Sequence, residues 1–341
     1  MSDCKQRIEF IDLAKGICIL LIIIGHSGVQ VDYPGLTAMR TPLYLTLSGL
    51  FFKDYGGLFN LFIRKCNKIL IPFLFFYLSS YALFYLFNAV CPGLIVSEAK
   101  GIMDVFTQTQ YFNGPLWFLL VIFWDNIIFG IIHLNIKSEW SRAILVLAIG
   151  CCGFLLYKHN LLVACSIDAA FTCLPFFYFG YLLKRSDILV PYKLDYLNIL
   201  FAAILFFAAY IIDTYSHPTL FFHDRIISGN IFAVVFLPLT SVMGLLLLCK
   251  AIGYLPVVSY FGRYSIIPLC THHLIYRPIQ LVIARFVPLD DGGAYIVAAA
   301  TVLICLACIP LFVRFLPYVT AQKDIIRGRV KSNFGSASVF R

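Results

Sequence analysis

Residues 7–28 read RIEFIDLAKGICILLIIIGHSG. From Phe10 to Val29 the run is apolar and long enough to cross the roughly 30 Å hydrocarbon core of a bilayer as a helix. Yet it holds Asp12, Lys15 and His26. Ionisable groups in a membrane helix are expensive and mark either function or a partner that offsets their burial. Asp12 and Lys15 are three residues apart, so they share a helix face and can pair. Lys15 and His26 are eleven residues apart, which at 3.6 residues per turn is about 20° beyond three full turns. They therefore share a face too, about 16 Å apart along the axis. Two readings stand here: a snorkelling lysine with a hydrogen-bonded histidine, or a pair of working groups at two depths of the membrane.

The rest of the chain has the same character. Of 341 residues, 61% are hydrophobic and only 13% charged, with a mean hydropathy of +0.89. A soluble domain carries about 25% charged residues, so a soluble enzyme, a disordered segment and a nucleic-acid-binding domain are all excluded. Apolar runs of membrane-spanning length fall at about 10–29, 38–53, 69–90, 115–135, 143–158, 162–183, 196–213, 230–250, 264–285 and 294–316. The fold expected is therefore all-α: a polytopic membrane bundle of about ten helices over residues 1–316, followed by a basic tail over 317–341. The first run is expected to be a retained helix rather than a cleaved leader, because Asp12 and Lys15 interrupt it and no small-residue cleavage site follows.

Charge gives the orientation. With the N-terminus in the cytoplasm, 18 of the 26 Lys and Arg fall in cytoplasmic segments, 6 outside and 2 within spans. This positive-inside bias puts both termini in the cytoplasm of a multi-pass cell (inner) membrane protein. It also accounts for the formal net charge of +9. Most of the 12 cysteines sit in apolar runs and read as small packing groups. This includes the Cys305-x-x-Cys308 spacing. No metal site is expected, since the seven histidines show no metal-ligand spacing.

Other polar groups stand out against this background. FIRKCNKILIP carries Arg64, Lys65 and Lys68 just ahead of the third span. Such a cluster is an orientation signal or a contact to lipid headgroups, or a grip for the phosphates of a soluble ligand. Asp125 lies mid-membrane, and Asp168 lies near the expected depth of His26. A carboxylate there either orients a histidine or ties two helices together. His272 and His273 form a pair in the ninth span, where only part of the helix faces a cavity. The aromatic stretches PFLFFYL and LPFFYFGYLL read as packing and interface anchors. On these physics alone, a transporter or flippase of a glycan intermediate stands as the alternative to an enzyme.

Several segments together resemble the acyltransferase-3 family of integral membrane acyltransferases, including surface-glycan O-acetyltransferases and fucose 4-O-acetylase-like proteins. IDLAKGICILLIIIGHS is similar to the family's basic-residue–x10–His opening, with Lys15 and His26. MRTPLYLTLSGLFF (39–52) is similar to its second helix, with Arg40 and Thr41 intruding between Met and Pro. RKCNKILIP (64–72) is similar to its two-basic-residue motif, with Lys68 where arginine is usual. NGPLWFL (113–119), LPFFYFGYLLKR (174–185) and GRYSIIPLCTH (262–272) follow in the family's order. The resemblance implies transfer of an acetyl group from cytoplasmic acetyl-CoA to a hydroxyl of a surface or lipid-linked glycan. In that scheme Arg64, Lys65 and Lys68 hold the CoA phosphates and Lys15 positions the donor. His26 is the general base or carries the acetyl group, and Asp168 orients it. Asp12, Trp117 and His272 line the path of substrate or acyl group. Membrane lipids are the remaining partner.

The orientation has a direct test. A cysteine placed at Ser216, in a background without other exposed cysteines, should react with a membrane-impermeant thiol reagent in intact cells. One placed at Ser332 should react only after lysis. The reverse pattern would invert the orientation.

Overall fold

The computed structural model describes residues 8–29, 31, 33–90, 92, 97, 99–107, 110–186, 196–222 and 226–326. Most of the expected basic tail (327–341) and the tip of the 214–229 loop (223–225) lie outside the described residues. The chain runs α1 (Glu9–His26), α2 (Pro34–Ala38), α3 (Arg40–Leu50), α4 (Leu58–Lys65), a π-helical turn (Cys66–Leu70), α5 (Ile71–Val90), α6 (Asp104–Thr107), α7 (Trp117–Asn135), α8 (Glu139–Lys158) and α9 (Ile167–Leu183). It continues through α10 (Tyr196–Ser216), strands β1 (Thr219–Phe221) and β2 (Ile226–Ser228), α11 (Ile231–Ile252), α12 (Pro256–Arg263), α13 (Ile266–Ile283) and α14 (Asp291–Phe315). This is a polytopic helical membrane protein. The antiparallel ribbon β1–β2 is the only sheet among the described residues.

Seven segments are long and apolar enough to cross a membrane: Leu58–Val90, Gly114–Asn135, Glu139–Lys158, Ala164–Leu183, Tyr196–Ser216, Ile231–Ile252 and Gly292–Phe315. The three other expected spans, at α1, α3 and α13, form helices but fall short of that measure. Here the ten runs expected from the sequence are not all built alike. The 38–53 run is built in two pieces, and its longer piece, α3, has 11 residues. At 1.5 Å per residue it covers about 16 Å, half the hydrocarbon core. Helices α1 and α13 have 18 residues each, but α1 carries Glu9, Asp12 and Lys15, and α13 carries His272, His273 and Arg277.

The reason is that a helix wrapped by protein needs no apolar coat. Half of α1 is buried, including Asp12, Gly16 and Ile23, and seven of the eleven residues of α3 are buried. By contrast α10 buries only Ala202 and Ala209 and turns the rest of its surface outward. The third span also starts earlier than expected. Helix α4 is amphipathic, with Leu61 buried and Phe59 and Phe62 exposed, and it continues through the π turn into α5.

Glycines set the closest contacts. A Cβ at Gly16 would overlap the Val258 carbonyl, and one at Gly262 would overlap the Asp12 carbonyl, so α12 lies backbone-to-backbone on the first half of α1. Likewise Gly49 meets the Phe177 carbonyl and Gly180 meets the Thr46 carbonyl, which locks α3 to α9. Small residues allow this approach in membranes, where packing rather than the hydrophobic effect holds helices together.

Gly49→Ala and Gly180→Ala should each lower the thermal midpoint of the detergent-purified chain. The cost is that of overpacking, about 1–3 kcal/mol. Gly101→Ala, whose nearest neighbour would lie 3.4 Å away, should change the midpoint little.

Candidate active site

Helix α1 ends at His26, an exposed side chain, and α13 meets it there. The His26 ring centroid lies 5.3 Å from that of His272, 6.1 Å from His273 and 6.3 Å from Tyr276. His273 and Tyr276, one turn apart, stand edge to face at 5.2 Å. His272 is fully buried. Its Nδ1 donates to the Pro268 carbonyl at 2.7 Å. A carbonyl only accepts, so the neutral ring carries its lone pair on Nε2. That Nε2 is buried and has no hydrogen-bond partner among the described residues. An orphaned acceptor in a histidine cluster is a group waiting for a donor.

The segment before α7 braces this cluster from another side. Tyr111, Phe112 and Asn113 are all buried. Tyr111 Oη lies 2.6 Å from Ser166 Oγ, and Asn113 Nδ2 donates to the Cys270 carbonyl at 2.7 Å. Tyr111 and Asn113 thus tie the start of α9 to the turn of α13 just before His272. Asp168, fully buried in the first turn of α9, lies two residues beyond Ser166. Gly114 follows Asn113, and a Cβ there would come within 4.0 Å of His273 Nε2. Trp117, at the first turn of α7, is buried next in line. The segment thus bonds to Ser166, two residues before Asp168, and to the Cys270 carbonyl, two residues before His272, whereas the ring contacts of His26 come from α13.

At the other end of α1 sit Asp12 and Lys15. They form the expected i, i+3 pair at 4.0 Å. Tyr44 Oη donates to the Lys15 carbonyl at 3.0 Å. Glu9, a turn earlier, pairs with Arg263 at 3.4 Å. Asp125 is buried in α7 with both carboxylate oxygens lacking a hydrogen-bond partner among the described residues.

The basic cluster is engaged by the chain itself. Arg64 Nη1 lies 2.6 Å and Lys68 Nζ 2.9 Å from the carboxylate of Asp324. Lys68 also donates to the Ala321 carbonyl at 2.7 Å. Asn67, between them, accepts from the Ile325 and Ile326 amides and donates to the Ile326 carbonyl, each at 2.8 Å. Residues 321–326 thus form a strap across the π turn. π turns occur at functional sites, and here one presents Asn67 and Lys68. Burial works against the Asp324 charge, but the Lys68 hydrogen bond and the Lys68 and Arg64 charges outweigh it and hold its carboxyl below the usual range. The strap contact is therefore present above about pH 4 and is lost as pH falls through the lowered value. Lys65 pairs with no carboxylate among the described residues.

This arrangement has a family. The sequence model of the acyltransferase-3 family, an acyltransferase domain, matches residues 8–313. The chain belongs to that family, and membership implies acyl-transfer activity on an acyl donor and an acceptor. No curated protein and no solved structure matches the chain.

Sequence reasoning did not single out Asn113, His273, Tyr276, Arg40 or Asp324 for the site. Two of them carried a signal. Arg40 is a charge inside an expected span, and Asp324 is the only acidic residue in the 317–341 tail.

Proposed function

We propose that the chain transfers an acetyl group from cytoplasmic acetyl-CoA to a hydroxyl of a surface or lipid-linked glycan. In this reading it is a bundle of about ten helices with both termini in the cytoplasm. The observation that carries the proposal is the meeting of His26 with His272, His273 and Tyr276 at one end of α1, while Lys15 stands on the same helix about 16 Å away. A base at one depth and a cation at another suit a donor that enters from one side and an acceptor that enters from the other.

The neutral imidazole of His26 takes the proton of the acceptor hydroxyl as its oxygen attacks the thioester carbonyl. The carbon–oxygen bond forms, the carbon–sulfur bond breaks, and the CoA thiolate leaves and regains the proton. His272 Nε2 offers a second acceptor beside that proton. Asp168 orients the cluster from across the Tyr111–Asn113 segment. Asp12 and Lys15 position the donor within the membrane, and Trp117 lines the acyl path. Arg64, Lys65 and Lys68 bind the CoA phosphates by charge-assisted bonds. For that, Asp324 must yield Arg64 and Lys68 to the phosphates, because one carboxylate already satisfies both cations.

These roles set three expected outcomes. His26→Ala should abolish acetyl transfer while membrane insertion and yield stay normal; a well-expressed variant with full activity would refute the assignment. Arg64→Gln with Lys68→Gln should raise the KM for acetyl-CoA by about tenfold or more, since each charged hydrogen bond is worth roughly 1.5–3 kcal/mol before solvent screening. Asp324→Asn should lower the same KM by removing the competing carboxylate. An unchanged KM in both variants would place the donor phosphates elsewhere.

A further inference from the structure

Arg40 is the first residue of α3, with its carbonyl beside Cys18 and its side chain running toward the end of α1. Its guanidinium lies directly against Gly25, the residue before His26, and a Cβ at Gly25 would overlap Arg40 Nη1. Glycine at that position is what lets the guanidinium reach the end of α1. Arg40 Nη2 makes one long hydrogen bond, 3.5 Å to Thr37 Oγ1. Its Nε is buried and has no partner among the described residues. No carboxylate among the described residues pairs with it, whereas Arg64, Arg142, Arg185 and Arg263 each have one. The other groups around Arg40 are the Cys18 thiol, which donates to the Arg40 carbonyl at 3.2 Å, and the backbone of α1. A half-buried guanidinium with an idle donor and no counter-charge is costly unless an anion completes it.

The geometry points to Arg40 as the specificity residue for an acidic acceptor: a hydroxyl compound that carries a carboxylate or phosphate beside the hydroxyl to be acylated. The inference rests on the reading that the acceptor enters at His26. Arginine's planar fork matches both anions in a bidentate manner. Held against Gly25, the residue before His26, it would hold the acidic group at the same turn of α1 as the base. A neutral sugar would leave the guanidinium uncompensated, and the site would reject it for that reason. The cluster of His26, His272 and His273 adds no negative charge when neutral, so nothing described in this chamber replaces the missing anion.

The test is a binding measurement that needs no turnover. The thermal midpoint of the purified full chain in detergent is followed against glucuronate, inorganic phosphate and glucose at constant ionic strength. The wild-type chain should show saturable stabilisation by glucuronate, by phosphate or by both, and none by glucose. Response to glucuronate marks a sugar-acid acceptor, and response to phosphate alone marks a phosphorylated one. Arg40→Gln should raise the apparent Kd about tenfold or more. Arg40→Lys, which keeps the charge without the fork, should weaken binding less and serves if the Gln variant does not fold. Arg64→Gln with Lys68→Gln should retain the glucuronate response, and a phosphate response counts toward Arg40 only where it survives in that variant, which separates this site from the strap. Equal responses in wild type and both Arg40 variants, or equal response to glucose, would overturn the inference. A loss of transfer in His26→Ala bears on the acyl-transfer reading alone, because binding is read without it.

Discussion

A helix that carries Asp12, Lys15 and His26 cannot face lipid, because the hydrocarbon core offers no partner to an ionisable group. The packing follows from wrapping that helix. Helices α12 and α13 cover one flank of α1, and Gly16 and Gly262 bring the backbones of α1 and α12 together. That close approach delivers α13 at the right height for His272 and His273 to meet His26. Helix α3 sits on the same helix through Tyr44 and Arg40 and is itself locked to α9 by Gly49 and Gly180. The more apolar helices, such as α10, take the outer positions, where their composition suits them.

The same constraint explains which parts of the fold were legible in the sequence. Long apolar runs announce lipid-facing helices, and the seven segments of spanning length fall within the expected set. The inner helices are harder to read because protein contact releases them from the need for length and apolarity. Nothing local in TPLYLTLSGLFF shows that α3 stops at Leu50 while Phe51 and Phe52 continue the apolar run. Helical periodicity gave Lys15 and His26 a common face, and both lie on the single helix α1. Only part of the helix holding His272 and His273 was expected to face a cavity. Both rings lie near His26, because it sits at a helix end that α13 passes alongside.

Long-range ion pairing has no period at all. Arg64 and Asp324 are 260 residues apart, and a single acidic residue in a basic tail is visible in the sequence without its partner being visible. The two ends of the chain's chemistry also differ in how charge is balanced. On the strap side, two cations meet a carboxylate of the same chain. Beside Gly25, a guanidinium meets none among the described residues. One side is closed in the resting protein and the other is left open.

The strap has a consequence for how the protein is made. The matched family region ends at residue 313, yet Asn67 and Asp324 join an early helix to a segment beyond it. During synthesis every helix through α14 is complete before Asp324 leaves the ribosome. The basic cluster near residue 64 must therefore wait, its charges uncovered, while some 250 residues are inserted. A chain cut shortly after α14 would keep every membrane helix and still lack the piece that covers the basic cluster.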